Sequence, residues 1–450
     1  MGSVIIGAGI SGLAAALRLV RAGERPTILE PRDPGGMIRS RIEGGFTLEL
    51  GPNVLVERPD IVALLNELRL QDEVVYPSVE PYGQYVWFQG GACKVPAGVR
   101  ELLGSPLFSL RTKAALPCRL VRKGVLRAAH EDASVLDFFA PLIGADSAKA
   151  LLDPVLKGIY GGDVSSLSAR TLFPGLWAAA CEKKSVLGYM RSKPKGGKPR
   201  IFVIRGGIEK LVGALIRELD GNVNWVRDAA TALRRTADGF EIATRSSGVI
   251  HTNSCIVTTA GRTTSSFIGD IEPELAKKLS EVAFASLTVL HFAVARDEKL
   301  IDRAFGVLCP GGMPENFLGV MFNSLIFPHM APPDRHLLTV IVGGAQAGEA
   351  TPDLERLRAV VPGMLAEMFG IHGASWLGDF SWQGAIPQLA VGHFRLVEAL
   401  DAAEDRNPGL VFVGVDRGGV GVSDRLRVAR EGLDRVRPAA ADGAANRVVA

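Results

Sequence analysis

A short run near the start of the chain constrains its fold more than any other: Ile5-Ile6-Gly7-Ala8-Gly9-Ile10-Ser11-Gly12-Leu13-Ala14. Residues 3–6 are β-prone, as expected of a strand buried in a parallel sheet. Gly7, Gly9 and Gly12 then form GxGxxG, and Leu13 to Ala22 continues with helix formers until Gly23. Thr27-Ile28-Leu29 returns as a short strand that ends in Glu30. Strand, glycine turn, helix, strand and acid, in that order, are the parts of a dinucleotide-binding βαβ unit. Gly7 permits the tight turn, Gly9 lets the backbone approach a pyrophosphate, and Gly12 brings the helix close to the sheet. The free N–H groups and positive pole at the helix start favour a diphosphate. Ala8, Ile10 and Ser11 complete the cradle. Glu30, with Pro31 after it, is placed to accept from ribose hydroxyls.

A chain of 450 residues suggests two or three folding units. Its 47% hydrophobic and 22% charged content allows large cores, and its 52 glycines point to tight turns and close backbone approaches to a ligand. A formal charge of +3 is too small to call for nucleic acid, and no nucleic-acid motif occurs. Cys93, Cys118, Cys181, Cys255 and Cys309 form no CxxC pair and no metal-ligand spacing with histidine. They read as scattered thiols of a reducing compartment, and no metal site is expected. The first residues lack the basic start of a signal peptide. No apolar run reaches the length of about 18 residues that a membrane span needs, although lying on a membrane surface stays open.

Beyond the first unit, Ile61, Leu64, Leu65 and Leu68 fall at helical spacing, and residues 84–88 form a strand candidate. Residues 97–190 alternate helical runs with breaks expected at Pro117, Pro141 and Pro154, and 191–200 read as a basic loop. Helices are expected at 207–219, 274–283, 353–369 and 424–437. Strands are expected at 222–226, 240–244, 254–260, 285–295, 317–323, 337–343 and 410–415. The fold class is α/β. A discontinuous Rossmann-like dinucleotide-binding domain takes 1–75, 201–262 and 385–437. A mixed-sheet substrate domain takes 76–96 and 263–384, a helical segment is inserted at 97–190, and 438–450 is a frayed tail. The cofactor would lie between domains.

Residues 30–40, EPRDPGGMIRS, decide between cofactors. They resemble the ExxxxxGGxxxS/T segment of glutathione-reductase-like FAD proteins, and especially of flavin amine oxidases. That likeness implies that Gly35 and Gly36 pass over the FAD diphosphate while Arg39 approaches it. It also implies that Gly51, Pro52 and Asn53 run beneath the flavin ring. Other segments narrow the resemblance: Gly158-Ile159-Tyr160-Gly161-Gly162-Asp163 with Leu167-Ser168, Arg205-Gly206-Gly207-Ile208, residues 317–344, Ala385-Ile386-Pro387-Gln388 with Gly392-His393, and residues 418–424. Together they are similar to the oxygen-dependent, FAD-containing protoporphyrinogen and coproporphyrinogen oxidases, over nearly the whole chain.

What the resemblance implies is a six-electron oxidation of a porphyrinogen, with hydride passing to the flavin N5 and dioxygen reoxidising the flavin to give hydrogen peroxide. No catalytic side chain is identified; the protein would orient the macrocycle in an apolar cleft. Val226 is a candidate for adenine contact and equally a core valine. Thr259 and Gly414 end strands beside the cofactor. Val420, Gly421 and Val422 should open a helix near the flavin pyrimidine edge, where N–H groups offset negative charge. Gln84, Leu318, Met321, Gly343 and Leu389 are the substrate candidates, with core packing the alternative for each. Gln84 stands where the family often carries Arg, Leu389 where Tyr is usual and Ser423 where Pro is usual. Val415-Asp416 replaces an Asn-aromatic pair. These departures leave open a different hydride donor, such as an amine or alkene, or a tetrapyrrole-binding flavoprotein with little turnover. His393 reads as structural or flavin-side. Arg111, Lys113, Arg119, Arg122, Lys123 and Arg127, with Lys183, Lys184, Arg191, Lys193, Lys195, Lys198 and Arg200, suit either an anionic membrane face or a solvated surface. Location in the cytoplasm, or on the inner membrane face, is expected, and a homodimer stays open.

Overall fold

Short strands built from apolar residues are stable only in a sheet covered on both faces. Val4–Ile6, Thr27–Leu29, Cys255–Val257 and Leu410–Phe412 form such a sheet, with Asn224–Val226 at its edge. The structure is a computed structural model describing residues 2–79, 82–128, 131–192, 199–348 and 352–436. The five strands run parallel in the order Asn224–Val226, Thr27–Leu29, Val4–Ile6, Cys255–Val257, Leu410–Phe412. Pleat alternation sends Ile5, Ile28, Ile256 and Val411 to one face. There they pack on Leu13 and Leu17 of helix Ile10–Arg21, Leu211 and Leu215 of Glu209–Leu219, and Leu426 and Leu433 of Val422–Val436. Val4, Ile6, Leu29, Val257 and Phe412 face the other way. They meet Leu233, Phe240 and Ile242 of a three-stranded antiparallel sheet and helices Pro273–Ser280 and Phe394–Arg406. Each such Leu or Ile stabilises the fold by roughly 1.5–3 kcal/mol. Because Leu275 and Leu279 belong to this core, the nucleotide-binding domain runs past the boundary expected at residue 262.

A second, seven-stranded sheet has the order Ser375–Pro387, Phe284–Ala295, Arg335–Gly344, Phe317–Met321, Ala304–Leu308, Gly83–Phe88, Gly91–Lys94. Gly83–Phe88 pairs parallel with Ala304–Leu308 and the other pairings are antiparallel, so the sheet is mixed. Leu290, Phe292, Val320, Val340 and Val342 cover helix Leu354–Phe369 through Leu357, Val361 and Leu365. Register places Gln84, Gly306, Met321, Thr339 and His291 in one row on the opposite face. Three of these strands were not expected. Ala304–Leu308 and Gly91–Lys94 are short, and Ser375–Pro387 is an edge strand that mixes Gly378, Gly384 and half-buried polar residues. It carries this domain to Pro387, past residue 384. The hairpin Ser40–Glu43 and Phe46–Glu49 joins the two sheets, with Phe46, Leu48 and Leu50 packed on Ala293, Phe327 and Leu337.

Helices Leu110–Val121, Val135–Ile143, Ala145–Tyr160 and Pro174–Cys181 close over the end of the second sheet, where Phe138, Leu142, Leu156 and Trp177 share a core with Val86. Pro117, Pro141 and Pro154 do not break this segment as expected; each lies inside a helix. A proline deletes one N–H and crowds the preceding turn. Here tertiary burial outweighs that local cost, and Pro117 and Pro141 direct their rings to solvent. Lys193, Lys195, Lys198 and the tail 438–450 lie outside the described residues.

Candidate functional site

Helix Ile10–Arg21 begins at the carboxyl end of the central strand, with Gly9 as an N-cap that offers no side-chain cap. Gly7 has φ 105°, which glycine adopts freely. A Cβ on Gly12 would lie 2.0 Å from Gly7 O, and one on Gly7 2.6 Å from Thr258 Oγ1. Gly7 and Gly12 are therefore demanded by the fold. Gly9 is different: no other protein atom lies within 4 Å of where its Cβ would be. The space above Gly9, next to uncapped amides, fits a diphosphate. Ala8 and Ser11 are buried beside it, as is Ile10.

Glu30 Oε2 accepts from Ala8 N at 2.9 Å and Oε1 from Arg32 N at 3.0 Å, so its carboxylate fixes the loop and keeps further lone pairs for a ribose. Pro31 is exposed. The carbonyl of Val226 accepts from Glu30 N at 3.0 Å and Asp228 N at 2.9 Å. Gly35 (φ 114°) and Gly36 (φ 59°) turn the chain against the cradle, where Gly35 N donates to Ala8 O at 2.8 Å. Arg39 donates to Pro34 O at 2.9 Å, Asp33 O at 3.0 Å and Glu209 Oε1 at 3.2 Å; it shapes the 33–36 loop. Gly51 packs backbone on backbone, its Cβ position 1.8 Å from Met37 O. Leu50 O accepts from Trp382 Nε1 at 2.5 Å. Asn53 Nδ2 reaches Gly51 O at 3.4 Å, and Asn323 Nδ2 reaches Asn53 Oδ1 at 3.5 Å. Pro52 lies half-buried between them in sequence.

Thr259 O stands 2.4 Å from the Cβ position of Gly414, so the ends of the strands Cys255–Val257 and Leu410–Phe412 touch here. The last helix starts at Val422, directly after Val420 and Gly421, and Ser423 Oγ ties it to Val56 O at 2.6 Å. The Asp424 carboxylate folds over Gly419 and Gly421. His393 Nε2 meets Asp416 O at 2.7 Å, and burial lowers its pKa, which suits a structural role. Glu49 was not a sequence candidate. It is buried, accepts from Ser40 Oγ at 2.6 Å and Ile208 N at 2.9 Å, and desolvation pushes its pKa up to about 7. Its ordinary ELG context carried no signal of burial.

On the second sheet, Gln84 is exposed and shares a face with Val86, Gly306 and Met321. Gly343 also lies on that face by alternation, and Leu318, the extra residue of a bulge, reaches the same place. There the carboxyl end of helix Ala145–Tyr160 approaches. The Cβ position of Gly158 is 2.5 Å from Leu308, and that of Gly161 is 3.2 Å from Gly344 Cα. Lys157, only 3% exposed, pairs with Asp153 at 2.7 Å beside Leu318 and Gly343. Asp153 in turn accepts from Gly311 N at 2.9 Å. A separate cavity of about 160 Å³ lies on the other face of the sheet, beside helix Leu354–Phe369, and is bordered by Thr288, Val342, Asp353, Leu357 and Ser381. Leu389 lies apart from this face: it is fully buried, with its carbonyl accepting from Ser168 N at 2.8 Å.

Comparison with known proteins agrees with this geometry. Protoporphyrinogen oxidase 2, chloroplastic/mitochondrial, of Arabidopsis thaliana is 26% identical over 482 residues, covering 96% of this chain and 93% of its own length. Coproporphyrinogen III oxidase of Bacillus subtilis (strain 168) is 25% identical over 457 residues, covering 94% of each. A crystal structure from Exiguobacterium sp. 255-15 superposes with a TM-score of 0.79 at 22% identity, covering 95% of this chain and 97% of that one, which speaks for the fold. Residues 10–418 match the model of the flavin containing amine oxidoreductases. With that match spanning the first helix, the second sheet and the approach to the last helix, the chain belongs to the flavin containing amine oxidoreductase family and is an FAD-dependent oxidoreductase.

Proposed function

We propose that the chain oxidises a porphyrinogen to the porphyrin, with dioxygen as the final acceptor. The observation that carries this reading is the nucleotide cradle at the start of helix Ile10–Arg21, in a chain whose near-full-length relatives include porphyrinogen oxidases. FAD, when bound, supplies the hydride acceptor. Gly7, Gly9, Gly12, Glu30, Gly35, Gly36 and Gly51 hold its nucleotide part, with Thr259, Gly414 and Val420–Val422 on the other side. Leu318 and Met321 orient the substrate and exclude water from it. Aromatisation drives the reaction, and bulk water takes the released protons.

A second reading has one observation in its favour. Gln84 brings no charge, and Lys157 is already paired with Asp153, so neither offers a free cation to a substrate carboxylate. That suits a donor with fewer acidic arms, such as an amine or an alkene. Anaerobic mixing with protoporphyrinogen and coproporphyrinogen tests both. Flavin bleaching with porphyrin fluorescence is expected. Bleaching only by amines or polyenes sinks the porphyrinogen reading, and porphyrin binding without bleaching marks a carrier.

The same reading places the protein at a membrane surface. Leu103, Leu110, Val121 and Met190 are 57%, 83%, 59% and 61% exposed. They share the helical segment with exposed Arg111, Arg122, Lys123 and Arg191. Among the described residues no helix is long and apolar enough to cross a membrane. Cosedimentation with anionic but not neutral vesicles is expected.

A further inference from the structure

The final helix carries a charge that none of the roles above uses. Arg425, its fourth residue, is 6% exposed. Nη1 donates to Gly414 O at 2.6 Å, while Nε and Nη2 are buried with no partner. Nearby, Asp416 is 3% exposed; its Oδ2 accepts from Gly261 N at 2.6 Å, and its Oδ1 is buried with no partner. No ion pair joins the two side chains, although each feels the other's charge. Asp424 also faces the guanidinium, and Arg427 opposes it. Burial lowers the Arg425 pKa to about 10, which still leaves it charged at neutral pH.

Contacts fix where this cluster lies. Arg425 holds Gly414, the Cβ position of Gly414 abuts Thr259 O, and the Thr259 side chain stands 3.2 Å from the Cβ position of Gly7. The free donors therefore sit at the carboxyl ends of Val4–Ile6, Cys255–Val257 and Leu410–Phe412, beside the starts of helices Ile10–Arg21 and Val422–Val436. That is where a doubly wound sheet holds its ligand. A buried arginine with two idle donors, next to a buried carboxylate with an idle acceptor, is costly as it stands. A ligand with both acceptor oxygens and hydroxyl donors satisfies both. A substrate carboxylate offers acceptors alone and would leave Asp416 unsatisfied.

We propose that Arg425 anchors the cofactor: Nε and Nη2 donate to oxygens of the ribityl-diphosphate stretch of FAD, and Asp416 Oδ1 accepts from a hydroxyl of the same stretch. The proposal rests on FAD being the cofactor. Guanidinium presents paired donors in a fixed fork that suits such oxygens.

The test is the FAD dissociation constant of the full-length chain, read from the fluorescence of flavin released on dilution. Arg425→Met is expected to raise it by about 10- to 100-fold. Arg425→Lys, which keeps the charge but loses the fork, should fall between Arg425→Met and wild type, and Asp416→Asn should weaken binding less than Arg425→Met. Melting of the dialysed, flavin-free chain is the second readout. Removing an unpaired buried charge should leave that melting unchanged or raised, so stability and affinity move apart. An FAD affinity within about threefold of wild type for Arg425→Met, or equal losses of melting with and without flavin, overturns the proposal. Should Arg425→Met fail to fold, Arg425→Lys and Asp416→Asn decide by the same affinity criterion. A wild-type chain that takes up no FAD overturns the cofactor assignment itself, an outcome distinct from normal binding by the variants.

Discussion

The cradle at the first helix and the cleft on the second sheet are built in opposite ways. The cradle is backbone against backbone: Gly12 on Gly7 O, Gly51 on Met37 O, Gly414 on Thr259 O. The cleft face of the second sheet is a row of side chains drawn from separate strands, with Gln84 and Met321 aligned by register and Thr339 and His291 buried at the far end of the row. A site made of main chain demands particular residues and tolerates little else. A site made of side chains leaves the scaffold in place while its occupants change, which is how one fold serves different donors. The contrast can be broken by experiment.

The largest effects belong to the cradle. Gly12→Ala, with its Cβ 2.0 Å from Gly7 O, should cost at least about 3 kcal/mol and yield little folded, yellow protein. Gly9→Ala meets no other protein atom within 4 Å. It should fold with the wild-type melting temperature when flavin-free and yet lose FAD. Flavin content per folded chain measures this. Full retention of FAD by Gly9→Ala would show that the space above residue 9 is not where the diphosphate lies.

A smaller loss is expected at the end of the cleft. Lys157→Met would strand Asp153 in the interior, at about 3–5 kcal/mol by urea unfolding, and the double change Lys157→Met with Asp153→Leu should recover most of it. A neutral Lys157→Met would mean that the ammonium is free for substrate, and the cleft would then own a cation after all.

The same contrast explains what could be read in advance. Gly7, Gly9, Gly12 and Glu30 were legible because a strained turn and a helix start narrow the choice of residue at each position. The packing of helix Ala145–Tyr160 on the second sheet was not legible, because Gly161 and Gly344 come from distant parts of the chain and no local pattern encodes their approach. Arg425 was not legible at all, and Asp416 showed only as a departure from the resembled family. Arg425 sits in the charged run Ser423-Asp424-Arg425-Leu426-Arg427, which reads as a solvated helix face, and only the packing of that helix on Leu410–Phe412 buries it. The edge strand Ser375–Pro387 was missed for a related reason: tertiary pairing, not β-propensity, makes it a strand.

Glu49 and His291 sit on either side of the seam between the two regions and should respond to pH with opposite signs. The Glu49 pKa rises from 4.5 to about 7 on folding, so the folded chain holds more protons between those values and stability falls as pH rises through them. Above pH 7 the cost reaches at most about 3 kcal/mol. The His291 pKa falls from 6.5 to about 4 by burial, so stability is lost as pH drops from 6.5 towards 4. Glu49→Gln should therefore stabilise the chain in alkaline buffer and leave it unchanged in acid. Equal effects at both extremes would show that the Glu49 carboxyl is not carrying the shift.

The smallest expected effect speaks most directly to the substrate. Gln84 is exposed on the cleft face of the second sheet, in the row of Gly306 and Met321. Gln84→Arg adds a cation that a propionate can meet only at the solvent edge, where ion pairs contribute about 1 kcal/mol or less. Binding of protoporphyrin or coproporphyrin should tighten by about fivefold, and the gain should shrink as salt is added. A gain larger for coproporphyrin, with its additional carboxylates, would identify the row as the path of the acidic arms. An unchanged affinity for both porphyrins would remove Gln84 from that path. It would also favour a donor without carboxylates, since Lys157, the buried cation beside Leu318 among the described residues, already has Asp153 as its partner.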